Sequence, residues 1–286
     1  MINFIKKILA ISIAIVAVSC SKDDETTSTP IEEKWEFTKM VNVNSDNSEG
    51  TLSLDFYQKK GNQWRVVQME PDDYTKFYLK AIKTPNVANF PVTNSNAFMT
   101  VNPYFFEPTS NSVYYKGNTN WILGDLPTFG SFSSFSTMTP DMPLSSNQIS
   151  KFQGATFSKE MPYNNDARND TYLFYDFANQ KYTYYGTRTG TDLILENRSM
   201  PTICSNCNGV NWSEIDAVTC TKAVTSTTAI YYFFDFDAGK MYILHREGLD
   251  TNNPHFLANY ETLNFSESFK GKFGTPEANT AFDFAK

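Results

Sequence analysis

Three cysteines, Cys204, Cys207 and Cys220, fall within one short stretch that begins "CSNCN". Thiolates so spaced suit tetrahedral zinc, which takes four Cys or His ligands. The fourth would have to come from His245 or His255, the two histidines of the chain, both on distant segments. "CSNCN" also lacks the histidine that covalent haem attachment places directly after CxxC. In an oxidising compartment the expected fate of such thiols is a disulfide. Joining Cys204 or Cys207 to Cys220 closes a short loop, worth about 3 kcal/mol by chain entropy. A structural disulfide with one thiol left over is therefore expected ahead of a metal site.

His245 and His255 flank "REGLDTNNP" and could together ligate a haem iron or a divalent cation; the plainer expectation is two surface residues. "DFDAGKMYILHREG" sets Asp235, Asp237 and Gly239 at alternate positions, like the start of a calcium loop. The pattern then fails, because glutamate is required where Arg246 stands. "YNNDARND" gathers Asp166, Asp170 and several asparagines. Turns held by Asx hydrogen bonds are expected in both places. No HExxH, GxSxG, Walker loop or dinucleotide fingerprint occurs. What remains is aromatic chemistry at Trp35, Trp64, Trp121 and Trp212. Trp121, among Asn and Gly in "GNTNWILG", is the candidate ligand-binding residue, since loops commonly carry binding.

The elements that must position these residues read as strands. Aromatics are 15% of the chain, dominated by Phe (24) and Tyr (16), a balance that favours sheets. From Trp35 onward, short aromatic and β-branched segments alternate with Gly, Asn, Asp and Pro clusters. This predicts one all-β domain of antiparallel sheets over 35–286. One stretch, "PDDYTKFYLKAIKTP", spaces Tyr74, Phe77, Tyr78, Ala81 and Ile82 along one helical face, with Asp72 or Asp73 as cap. Two or three helical turns are predicted there.

Three segments resemble one another: "YFFEPTSNSVYY" (104–115), "LFYDFANQKYTYY" (173–185) and "YYFFDFDAGKMYIL" (231–244). Each is an aromatic strand ending in an acid, a polar turn and a second aromatic strand. Glu107, Asp176 and Asp235 align, and "LSLDFYQKKGNQWRVV" (52–67) is a looser copy aligned on Asp55. Such hairpins cannot bury their own aromatic faces, so related units must stack. A four-bladed β-propeller of four-stranded blades fits; a β-sandwich or a lipocalin-like barrel is the alternative. The loose form "YxFFD…GKxY" resembles the hairpin of hemopexin-type and kelch-type propeller blades. "EEKWEF" resembles the lipocalin Gly-x-Trp strand, with Glu33 where glycine belongs.

The start of the chain speaks of location. "MINFIKK" is basic, "ILAISIAIVAV" is mostly apolar, and "AVSC" leads into Cys20. The apolar run is shorter than the roughly 20 residues of a membrane span and suits a secretory signal peptide over 1–19. Val18, Ser19 and Cys20 resemble the lipobox of bacterial lipoproteins, although Ala17 stands where leucine is usual. The resemblance implies cleavage before Cys20 and acylation (palmitate) of its thiol. Lys22, Asp23, Asp24 and Glu25 in "CSKDDE" resemble the surface-export signal of Bacteroidota lipoproteins. Acyl chains at ~0.8 kcal/mol per buried methylene would anchor the protein, with 20–34 a flexible tether. Basic residues number 24 against 31 acidic ones, a net charge of −7, the opposite of a nucleic-acid footprint. A non-catalytic binding or accessory subunit at the outer membrane is expected, serving nutrient capture or a membrane protein complex or transporter. A surface-anchored glycan hydrolase and a haem or metal carrier are the alternatives.

Overall fold

The computed structural model describes residues 33–45, 52–84, 97–99, 104–108, 112–116, 129–132, 151–159, 170–187, 193–200, 203, 207–221, 230–249 and 256–286. Cys20, Lys22, Asp23, Asp24, Glu25, Trp121, Asp166, Cys204 and His255 lie outside these residues. One compact unit runs from Lys34 to Lys286.

The described strands form four sheets, each built on an antiparallel meander of four consecutive strands, with one further strand added to the first. The first holds β1 (Glu36–Ser45), β2 (Leu52–Lys60), β3 (Gln63–Pro71) and β4 (Phe77–Lys83). The second holds β5 (Phe98–Met99), β6 (Tyr104–Glu107), β7 (Ser112–Lys116) and β8 (Phe129–Phe132). The third is β9 (Gly154–Lys159), β10 (Asp170–Asp176), β11 (Lys181–Thr187) and β12 (Leu193–Ser199). The fourth is β13 (Ala217–Cys220), β14 (Ile230–Asp235), β15 (Lys240–Leu249) and β16 (Phe256–Asn264). First strands meet in a ring: β1 lies against β5, β5 against β9, β9 against β13, and β13 against β1. Four four-stranded meanders leading outward from such a ring make a four-bladed, propeller-like arrangement. Among the described strands no sheet closes on itself, so they form no lipocalin-like barrel, and the ring replaces the two facing layers of a sandwich.

Packing on both faces explains why the strands read as unbroken aromatic runs. In β14, Tyr231 and Phe233 enter a core shared with the third sheet, alongside Tyr175, Tyr184 and Trp212. Tyr232 and Phe234 point the other way, into a core shared with Val41, Phe56 and Val67 of the first sheet. Between the second and third sheets, Phe106 meets Phe174 edge-on at 5.7 Å.

The repeated hairpins of the sequence are the central strand pairs of the four sheets. Asp176 pairs with Lys181 across its turn, and Asp235 pairs with Lys240. The Asp235 carboxylate accepts the Ala238 amide at 2.8 Å, and the Asp176 carboxylate accepts the Asn179 amide at 3.1 Å. Gly239 and Gln180 then take left-handed φ values of 61° and 53°. The expected Asx turn is thus what occupies the calcium-like "DFDAG". Asp55 breaks the alignment: it lies mid-strand, opposite Asn42 and Gln68, while the matching turn is at Gly61.

The helix expected over 72–84 is a turn followed by a strand. Phe77–Lys83 is β4, hydrogen-bonded to β3 along its length with one irregularity between Gln68 and Met69. The helical spacing of aromatics gave way to sheet pairing, and Asp73 caps a tight turn.

After β16 the chain turns through α1 (Phe265–Ser268) and lays β17 (Phe269–Lys272) parallel to β4 of the first sheet. The segment then folds back, and Phe282 donates its amide to the Phe269 carbonyl at 2.9 Å. This fold-back needs Gly271: a Cβ there would sit 2.4 Å from the Glu277 carbonyl oxygen. Gly271→Ala is therefore expected to cost about 1–3 kcal/mol, read as a lowered midpoint in urea denaturation. An unchanged midpoint would show the fold-back is not tight.

Candidate functional site

A cleft of about 240 Å³ lies where residues of the first and fourth sheets meet. Its walls are apolar: Val43, Leu54 and Phe77 on one side, Ile230 and the Tyr232 ring on the other. Its mouth is Asp72, Asp73 and Tyr74, from the β3–β4 connection. Strand alternation supplies the walls, and the turn supplies the polar rim.

Asp73 organises that rim. Its Oδ1 accepts the Thr75 amide at 2.7 Å, the Thr75 hydroxyl at 2.6 Å and the Lys76 amide at 2.8 Å. The Thr75 hydroxyl above all, with these amides and the Lys76 charge, holds the carboxyl below its ordinary range. It is an anion at neutral pH, and Oδ2 takes none of these bonds. Tyr74, 41% exposed, donates its hydroxyl to Glu261 Oε1 at 3.2 Å, and the Glu261 charge pushes the phenol up. The His245 ring stands edge-on to Tyr74 at 4.1 Å.

Tyr232 is the polar group inside. The residue is 3% exposed, and its hydroxyl has no hydrogen-bond partner among the described residues. Burial, helped by the Asp73 charge, pushes this phenol well up, so it stays a neutral hydroxyl. Ser53, also on the cleft, donates to Asp55 Oδ1 at 3.0 Å, and Gln68 Nε2 reaches both Asp55 oxygens at 3.1 Å. An apolar cleft with one hydroxyl that no described protein group pairs, and a fixed anion at its mouth, can hold a largely apolar ligand and satisfy one polar group on it.

The residues nominated by the sequence are scattered. Cys207 is disulfide-bonded, but Cys220 is a buried thiol; the expected closure onto Cys220 is not made. Cys220 is held in β13 opposite Tyr231 and packs in the core among Tyr175, Val218 and Tyr231. Trp64 and Trp212 are core residues, and Trp35 lies under the Arg65 guanidinium at 4.5 Å. His245 adjoins the cleft through Tyr74. Among the described residues, no three His, Cys, Asp or Glu side chains are grouped to hold a metal ion. The cleft residues Asp73 and Tyr232 were missed because one was read into a helix and the other into a repeat. The signal available was "PDDYT", whose Asp and Thr two residues apart favour an Asx turn.

No protein-family model matches the chain, and no curated protein matches it significantly.

Proposed function

We propose that this protein is an outer-membrane lipoprotein, acylated at Cys20 and facing the cell exterior, that captures a small, largely apolar ligand without transforming it. The cleft supports the binding half of this reading, and its carrying observation is the Tyr232 hydroxyl, which no described protein group pairs, opening onto apolar walls. The lipobox-like "AVSC" and the acidic "SKDDE" support the address, and a tethered binder there would serve as the accessory subunit of an outer-membrane transporter or complex.

The test is ligand-observed NMR with 2-phenylethanol. Saturable binding is expected, and Ile230→Trp, which fills the cleft from its wall, should weaken it at least about tenfold. Binding that ignores Ile230→Trp would place the ligand elsewhere; absence of saturable binding by small apolar alcohols, amines and acids would remove the reading. Radiolabelled palmitate incorporation lost in Cys20→Ala, and cleavage by protease added to intact cells, check the address.

A further inference from the structure

We infer that the cleft selects a hydrophobic ammonium ion, an apolar body carrying a protonated amine, with the amine placed between the Asp73 carboxylate and the Tyr232 hydroxyl. The inference rests on the proposed binding role and adds the charge of the ligand to it.

Three observations carry it. The mouth of the cleft holds two carboxylates, Asp72 and Asp73. All three bonds to Asp73 enter through Oδ1, so the turn fixes the carboxylate while Oδ2 stays open to a donor. Charged hydrogen bonds to such a preorganised acceptor are the strong kind. Within the cleft, Tyr232 is close enough for the Asp73 charge to act on its phenol, so the anion's field reaches the chamber and not only the solvent. The hydroxyl there has no partner among the described residues and can accept from an N–H.

The neighbouring charges agree. Lys76, the nearest cation of the turn, feels the charges of Asp72 and Asp73, but its ammonium sits 5.3 Å from the centre of the Tyr78 ring, and neither Lys76 nor Tyr78 lines the cleft. Glu261 adds a further negative charge beside Tyr74. The exposed Tyr74 ring at the rim gives aromatic surface that attracts a cation. A carboxylate or phosphate ligand would meet two like charges at the mouth. An apolar ammonium satisfies walls, hydroxyl and rim together.

The experiment compares three ligands of one shape on the full chain in detergent: 2-phenylethylamine, 2-phenylethanol and 3-phenylpropanoate. The amine should bind at least about tenfold more tightly than the alcohol, with the acid weakest. Asp73→Asn keeps an oxygen to accept the Thr75 and Lys76 donors but removes the charge. It should bring the amine to the level of the alcohol bound by the same variant. As a second readout on unaltered protein, raising NaCl from about 0.05 to 0.5 M should weaken the amine alone. If amine and alcohol bind equally to the unaltered protein, the cleft reading stands and this inference is overturned. Selectivity lost in Asp72→Asn and kept in Asp73→Asn would overturn the assignment to Asp73. If none of the three binds, the proposed function itself has failed.

Discussion

Phe56→Ala is expected to lower the stability of the fold by about 3–5 kcal/mol, the range for emptying a buried phenylalanine site. Phe56 is fully buried on β2, and its ring packs where three parts of the chain meet. It packs edge-on against Phe37 of β1 at 5.8 Å and against Phe234 of β14 at 5.3 Å. It also meets Phe269 of β17 and Phe284, each at 5.3 Å. First sheet, fourth sheet and closing segment thus share one ring, and collapse around the void would have to move all three. Urea denaturation followed by tryptophan fluorescence reads the loss, since Trp64 and Trp212 are buried reporters. A loss under about 1 kcal/mol would mean the site repacks and the three parts are not joined through it.

Arg65→Met carries the second large effect, about 3 kcal/mol. Arg65 is 5% exposed and spends its fork on three acceptors. Its Nε donates to Gln58 Oε1 at 2.9 Å, one terminal nitrogen donates to the Phe284 carbonyl at 2.7 Å, and the other to the Lys286 carbonyl. Gln58 Nε2 reaches the same Phe284 carbonyl at 3.0 Å. Methionine would keep the apolar stem and strand these oxygens. The distinguishing measurement is limited proteolysis: cleavage within 273–286 should rise in Arg65→Met while 230–249 stays protected. Arg65→Lys should rescue only in part, because a single ammonium cannot reproduce the planar fork. Uniform cleavage along the chain would show a general loss of stability and no specific latch.

The hairpin repeats were legible because their chemistry is local. An acid at the end of one strand and a lysine at the start of the next, as in Asp176–Lys181 and Asp235–Lys240, pair across a short turn whatever surrounds them. The copy on Asp55 was misaligned because that carboxylate serves a cross-strand row with Asn42 and Gln68, a role invisible without the register. The false helix came from real spacing: Tyr74, Phe77, Tyr78, Ala81 and Ile82 do recur at helical intervals. β3 nevertheless offers a complete ladder to Phe77–Lys83, and tertiary pairing overrides a local pattern. The cleft was not legible at all. Tyr232 and Asp73 come from different sheets, and neither stands out from the tyrosines and aspartates around it. The disulfide was half legible: Cys207 is bonded, but which thiol would be left over depends on Cys220 being held in a strand.

The route of the chain also sets an order of events. The first sheet is the first to be synthesised, yet its outer edge at β4 waits for β17, and Arg65 waits for Phe284. Contacts between residues so far apart in sequence are slow to form. During synthesis the early sheet therefore carries an uncovered strand edge and an uncommitted guanidinium. That interval is when the chain is most open to pairing with the wrong partner. A chaperone that masks the β4 edge until residue 269 and beyond have emerged would shorten it more than any gain in the stability of the finished protein.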